Sequence, residues 1–101
     1  MSHITFDELP THPGKALELR LLQLNRSTAE IARLLQLSRQ SLYELFAAKQ
    51  SLTPSVALRV AKLTATRAEM WLDMQQAYDL AKARVKDREM LNIVPVLDER
   101  W

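Results

Sequence analysis

Gly14 is the only glycine in this chain of 101 residues. Hairpins and tight β-turns lean on glycine for backbone conformations of positive φ, whereas helices select against it. A chain that nearly dispenses with glycine is not assembled from hairpins. Leu, Ala, Arg, Lys, Gln and Met, all good helix formers, fill much of the remainder. The expected fold class is therefore all-α. The length suits a single domain, residues 1–101, around one modest core.

Start and stop signals divide the chain into short helices. Pro13 stands where a proline opens a helix, with Thr11 or His12 as its cap, and Leu17, Leu21 and Leu24 then share one face. Asn25, tolerant of the left-handed conformation, ends this helix. Ser27-Thr-Ala-Glu30 reads as a capping box opening a second helix to about Leu35. Ser38 caps a third through about Ala47, and Thr53-Pro54 opens a fourth. Thr66-Arg-Ala-Glu69 reads as a second capping box, opening a long helix over about 67–88. Along it Met70, Met74, Ala77, Tyr78, Ala81 and Val85 recur at helical spacing, widened by Trp71 and Leu72. Met70 and Trp71 are expected in the core. Met74, Tyr78, Ala81 and Val85 are expected on a surface shared between the core and a dimer or partner contact. Pro95 keeps the tail, about 89–101, out of a helix, so it is expected to be extended.

Residues 27–46 meet the demands of a helix-turn-helix, in which a second short helix presents a polar face to the major groove. Ile31, Leu35, Leu37, Leu42 and Leu45 clamp the two helices, and Ala32 is small where they cross. Arg39, Gln40, Ser41, Tyr43 and Glu44 project outward. Arg suits guanine O6 and N7, Gln suits adenine N6 and N7, Ser is indifferent, and Glu accepts from cytosine N4. Ser38 begins this reading helix. Ser27 and Thr28, with the free amides of the second helix, can hold a phosphate. Arg26 and Lys49 flank the motif as further phosphate contacts, with Gln23 a weaker one. The net charge is only +2, but residues 13–53 hold six bases against three acids, which places the positive surplus around this motif.

Beyond the motif, His12-Pro13-Gly14, Ser51-Leu52-Thr53-Pro54, Ala68-Glu69-Met70-Trp71-Leu72 and Gln76-Ala77-Tyr78-Asp79-Leu80 occur in order. With Ser27–Phe46, which resembles the Cro/lambda-repressor (Xre-type) helix-turn-helix, they make the chain similar to HigA-type antitoxins over about Thr11 to Leu80. The resemblance implies a five-helix domain with a long C-terminal helix that acts as a homodimer on a palindromic operator of double-stranded DNA. It also implies repression of its own operon and neutralisation of a HigB-type RNase toxin. Three positions depart from the family pattern: Gln36 stands where the turn usually has glycine, Ala47-Ala48 where Asn-Gly usually follows, and Thr28 where a phosphate-contacting Gln is common. Gln36 must adopt a left-handed backbone at about 1 kcal/mol, or the turn must differ.

Other functions find little support. The chain has no cysteine, and His3 and His12 stand nine residues apart, so neither a metal site nor a cofactor is expected. The serines have capping or groove-facing roles and none lies in a glycine-flanked nucleophile turn, so no enzyme is expected. No apolar run is long enough to span a bilayer, and Met1–Pro10 carries Asp7 and Glu8 rather than a signal peptide, so a cytoplasmic protein without membrane contact is expected. Two alternatives stay open: a stand-alone or phage-like repressor with no toxin, and a protein-interaction module that no longer binds DNA.

Overall fold

The computed structural model describes residues 11–97. The expectations for His3, for the first ten residues and for the tail beyond Leu97 lie outside them. Six helices follow in order: α1 Pro13–Leu22, α2 Thr28–Leu34, α3 Arg39–Phe46, α4 Pro54–Thr64, α5 Ala68–Lys86 and α6 Arg88–Ile93. Among the described residues there is no strand.

Four helices start on side-chain caps, each accepting one of the amide hydrogens that a helix N-terminus leaves unpaired. His12 Nδ1 accepts from Gly14 N–H at 2.9 Å, which settles the choice between Thr11 and His12. Ser27 Oγ accepts from Glu30 N–H at 3.1 Å and Ser38 Oγ from Ser41 N–H at 3.0 Å. Thr53 Oγ1 accepts from Val56 N–H at 3.3 Å. The reciprocal half of the first capping box is replaced, because the Glu30 carboxylate turns to Arg26 Nη1 at 2.7 Å. The second capping box does not form. Arg67 is the N-cap of α5 and makes no side-chain cap. Thr66 Oγ1 instead accepts the Trp71 indole N–H at 2.8 Å and meets Thr64 Oγ1 at 2.7 Å. A buried indole needs a hydrogen-bond partner, and that need claims the hydroxyl.

The ends of α1 to α4 all pass through left-handed residues, and none is glycine: Asn25, Gln36, Ala48 and Ala65, with φ of 56°, 57°, 60° and 55°. After α2, Gln36 N–H bonds to the Arg33 carbonyl at 3.0 Å and Leu37 N–H to that of Ala32 at 2.9 Å. After α3, Ala48 N–H bonds to Leu45 O at 3.2 Å and Lys49 N–H to Glu44 O at 2.8 Å. Both are Schellman turns, which satisfy the last helical carbonyls and reverse the chain sharply.

The core gathers Leu17 and Leu21 of α1, Ile31, Ala32 and Leu35 around α2, Leu42 and Leu45 of α3, Leu52, Ala57 and Val60 around α4, and Trp71 of α5. Met70, expected in the core, is 44% exposed. The inward stripe of α5 runs through Trp71, Gln75 and Ala81, so Met70 lies about 100° round the helix from it. Trp71 is buried as expected, and the polar Gln75 at the centre of the buried stripe conceals its phase from the pattern of apolar residues. Its Oε1 accepts the Leu52 amide at 2.8 Å and its Nε2 donates to Asp79 Oδ1 at 3.0 Å.

The tail corrects a second expectation. Residues 88–93 form α6, and the chain becomes extended only at Val94, with φ −70° and ψ 120°. Pro95 disfavours helical backbone at the residue before it, but exerts no such restriction on Met90 to Ile93. Helix α6 buries no residue. Met90, Leu91, Ile93, Val94, Val96 and Leu97 are all exposed.

Candidate DNA-reading surface

Helix α3 is held from below and bare above. Leu42 and Leu45 face the core at 0% and 3% exposure, and Leu37 and Phe46 pack on its edge. The opposite face carries Arg39, Gln40 and Tyr43, all exposed, and half-buried Glu44. These residues, with Ala47 and Lys49, line one shallow concavity. Five of the ten residues picked from the sequence for DNA contact thus lie together: Arg39, Gln40, Tyr43, Glu44 and Lys49.

The other five are placed differently. Ser38 lies at the start of α3, but its hydroxyl is engaged in the cap. Ser41 is half-buried and faces Gln50, whose Nε2 donates to the Ser41 carbonyl at 3.1 Å. Ser27 caps α2 and Thr28 is half-buried beside it. Arg26 lines a narrow cleft with Thr28, Tyr43 and Phe46, its guanidinium tied to Glu30. A phosphate contact by Arg26 has to compete with that exposed pair, which is worth at most about 1 kcal/mol.

Three glutamine and glutamate side chains organise the face. Gln40 Nε2 donates to Glu44 Oε2 at 3.2 Å, and Gln50 Nε2 donates to Glu44 Oε1 at 3.1 Å. Gln50 was not foreseen. It lies beyond α3, six positions from Glu44, and joins it only because the turn through Ala48 folds the chain back.

The turn of the motif has its own brace. Arg59 of α4 donates through Nη1 to the carbonyls of Leu35 and Gln36, at 3.2 and 3.3 Å, and through Nη2 to Ser55 Oγ at 3.1 Å. The guanidinium holds the strained Gln36 turn against α4. Nothing in the local sequence pairs Arg59 with residues 23 and 24 positions upstream.

The His-Pro-Gly segment supports the far end of α3. Gly14 abuts the Leu45 carbonyl, where a Cβ would overlap the oxygen. The His12 ring meets Tyr78 edge-on, with centroids 4.9 Å apart and planes at 87°. Burial lowers the His12 pKa from its ordinary value, assisted by Lys82 and opposed by Asp79 and by the Gln50 carbonyl. Of the residues expected at a dimer or partner contact, Tyr78 is thus half-covered by its own chain, with Lys82 Nζ 5.3 Å from its ring centre. Ala81 is buried within the protomer, Met74 packs on its core, and Val85 is half-buried. Among the described residues no cluster of three His, Cys, Asp or Glu could hold a metal, and no helix is long and apolar enough to cross a membrane.

A helix-turn-helix with a bare, polar second helix defines a DNA-binding regulator of the Xre type. No family model matches the sequence, but individual relatives do. The chain is 32% identical to YddM, an HTH-type transcriptional regulator of Escherichia coli K12, over 70% of its own length and 76% of the relative's. Its fold is similar to that of an addiction-module antidote protein of the HigA family from Coxiella burnetii, with a TM-score of 0.77 and 30% identity, covering 89% of this chain and 99% of that one. It is also similar to the Pseudomonas aeruginosa antitoxin HigA solved with the higBA promoter, with a TM-score of 0.77 and 26% identity, covering 87% and 99%. The chain belongs to the HigA family of Xre-type helix-turn-helix proteins.

Proposed function

We propose that this protein is a homodimeric antitoxin that represses its own operon and neutralises a HigB-type RNase toxin. The observation that carries the DNA-reading part is the face of α3, where Arg39, Gln40, Tyr43 and Lys49 stand exposed around one concavity while the opposite side is sealed into the core. Two such helices in a dimer enter successive major grooves about 34 Å apart on a palindromic operator. Arg39 and Gln40 read base edges, Ser41 and Tyr43 border them, and Ser38, Ser27, Thr28, Arg26 and Lys49 lie toward the phosphates. The likeness to an antitoxin solved with the higBA promoter supports the reading. Acting on chromosomal or plasmid DNA, the protein works in the cytoplasm and has no catalytic role.

The test has two arms. The full chain is titrated onto the DNA upstream of its own gene at several salt concentrations. The expected result is specific binding whose affinity falls steeply with salt as phosphate counterions are released. In the second arm the chain is co-expressed with the product of a short neighbouring reading frame, and rescue of growth is expected. Binding without rescue favours the second reading, a stand-alone repressor, for which the likeness to the regulator YddM speaks. Binding that ignores both sequence and salt overturns both readings.

A further inference from the structure

We infer that Glu44 and Gln50 are positioning residues for base readout, holding the Gln40 amide in the orientation that recognises adenine. The inference rests on the DNA-reading function proposed above, and goes beyond it by assigning Glu44 a role other than reading a base itself.

The chemistry of the partners fixes the amides. A carboxylate and a peptide carbonyl only accept hydrogen bonds. Gln50 faces one of each, Glu44 Oε1 at 3.1 Å and the Ser41 carbonyl at 3.1 Å, so its nitrogen must point inward and both its hydrogens are used. Gln40 faces Glu44 Oε2 at 3.2 Å, so its nitrogen also turns toward the carboxylate. Residues 40 and 44 are one helical turn apart on the same face, which keeps this contact short. One Gln40 Nε2 hydrogen and the whole of Oε1 remain unused by these contacts. Those are the donor and the acceptor that match adenine N7 and N6.

Glu44, in turn, is poorly placed as a reader. Each of its oxygens already takes an amide hydrogen, and it is half-buried while Gln40 is exposed. Its negative charge beside a phosphate-bearing ligand lowers affinity. Fixing the Gln40 amide gives selectivity in return, because an amide free to rotate presents donor and acceptor in either order. The chain Gln50–Glu44–Gln40 therefore links the turn after α3 to a base edge.

The test uses the full chain and its own upstream DNA, with every base pair of one half-site replaced in turn. Wild-type protein is expected to discriminate roughly ten- to a hundredfold at one A·T pair, and Gln40→Ala to abolish that preference. Glu44→Ala and Gln50→Leu are expected to reduce discrimination at this same pair by about fivefold or more, leaving the other pairs within about twofold. Glu44→Gln, which keeps one acceptor oxygen, should retain part of it. Thermal unfolding of each variant separates a loss of fold from a loss of orientation. If Gln50→Leu unfolds the turn, Gln50→Glu, which keeps the size but places an acceptor against acceptors, gives the same readout. Preference at the A·T pair unchanged in folded Gln50 and Glu44 variants overturns the inference. So does a loss of preference at a C·G pair on Glu44→Ala, which makes Glu44 a direct reader. Wild-type protein with no sequence preference at all removes the DNA-reading function, and the inference with it.

Discussion

The Cα of Gly14 lies so close to the Leu45 carbonyl that no side chain fits between them. The start of α1 is thereby seated on the last turn of α3. The chain spends its one glycine on this approach rather than on any of its four left-handed turns.

Gly14→Ala therefore pits two effects against each other. Alanine raises helix propensity by roughly 0.5–1 kcal/mol. Overlap with a backbone oxygen, which cannot rotate away, costs about 1–3 kcal/mol. The overlap dominates, so the variant should unfold at lower denaturant concentration and bind operator DNA more weakly. A variant as stable as wild type would show that α1 and α3 can separate freely.

His12 makes stability depend on pH. Its Nδ1 accepts the Gly14 amide, which requires the unprotonated nitrogen, and burial holds its folded pKa below the ordinary 6.5. The unfolded chain therefore takes up a proton first as pH falls. This contribution to stability is complete above about pH 6.5 and is lost as pH drops through the folded pKa. Thermal unfolding between pH 7.5 and pH 5 should show this loss, and His12→Asn, which keeps a capping acceptor, should flatten the His12-dependent part of the slope. An identical slope in both proteins would assign the effect elsewhere.

Gln36→Gly and Ala48→Gly should each stabilise the protein. A left-handed backbone costs a residue with a Cβ about 1–2 kcal/mol, while glycine's extra freedom in the unfolded state returns about 0.4–1 kcal/mol. The net expectation is about 0.5–1 kcal/mol, or roughly 2–8 °C in Tm for a domain of this size. Arg59→Ala should act in the opposite direction by freeing the Gln36 turn. Combining it with Gln36→Gly should recover part of the loss, as measured in a double-mutant cycle.

Gln75→Met keeps the bulk of the side chain and removes its polar end. The Leu52 amide then loses its acceptor in a buried setting, at about 1–3 kcal/mol. Hydrogen exchange at the Leu52 amide should accelerate in step with the fall in stability. Unchanged protection there would mean that another acceptor takes over.

Arg39→Ala and Lys49→Ala should differ in kind. Losing Arg39 is expected to cost about 1–3 kcal/mol of operator binding and to relax specificity at one position. Losing Lys49 should weaken binding evenly across sequences and lower the salt slope by about one. A footprint and specificity unaffected by Arg39→Ala would remove Arg39 from the readers.

The first five helices and three of the expected caps were legible in the chain, because these are local matters, whereas α6 was masked by Pro95, which restricts only the end of the tail. Ser27, Ser38 and Thr53 need only an amide three residues ahead, and Pro13 and Pro54 need only a helix to begin. Of the five residues expected to project outward from α3, Arg39, Gln40 and Tyr43 are exposed, as helical geometry requires opposite the inward pair Leu42 and Leu45, while Ser41 and Glu44 are half-buried against Gln50. What failed locally failed through competition from elsewhere in the fold. Thr66 left its capping role for the Trp71 indole, and Glu30 left the Ser27 amide for Arg26. Met70 lost its place in the core to a phase set by Gln75. The close approach of Gly14 to Leu45, the brace of Arg59 on the Gln36 turn and the grip of Gln50 on Glu44 depend on chain reversals that bring together residues 31, 23 and 6 positions apart. Sequence by itself determined that α3 turns a polar face outward. Only the packing of α1, α4 and the turn after α3 around it decided how its side chains are aimed, because hydrogen-bond geometry requires positions that periodicity does not contain.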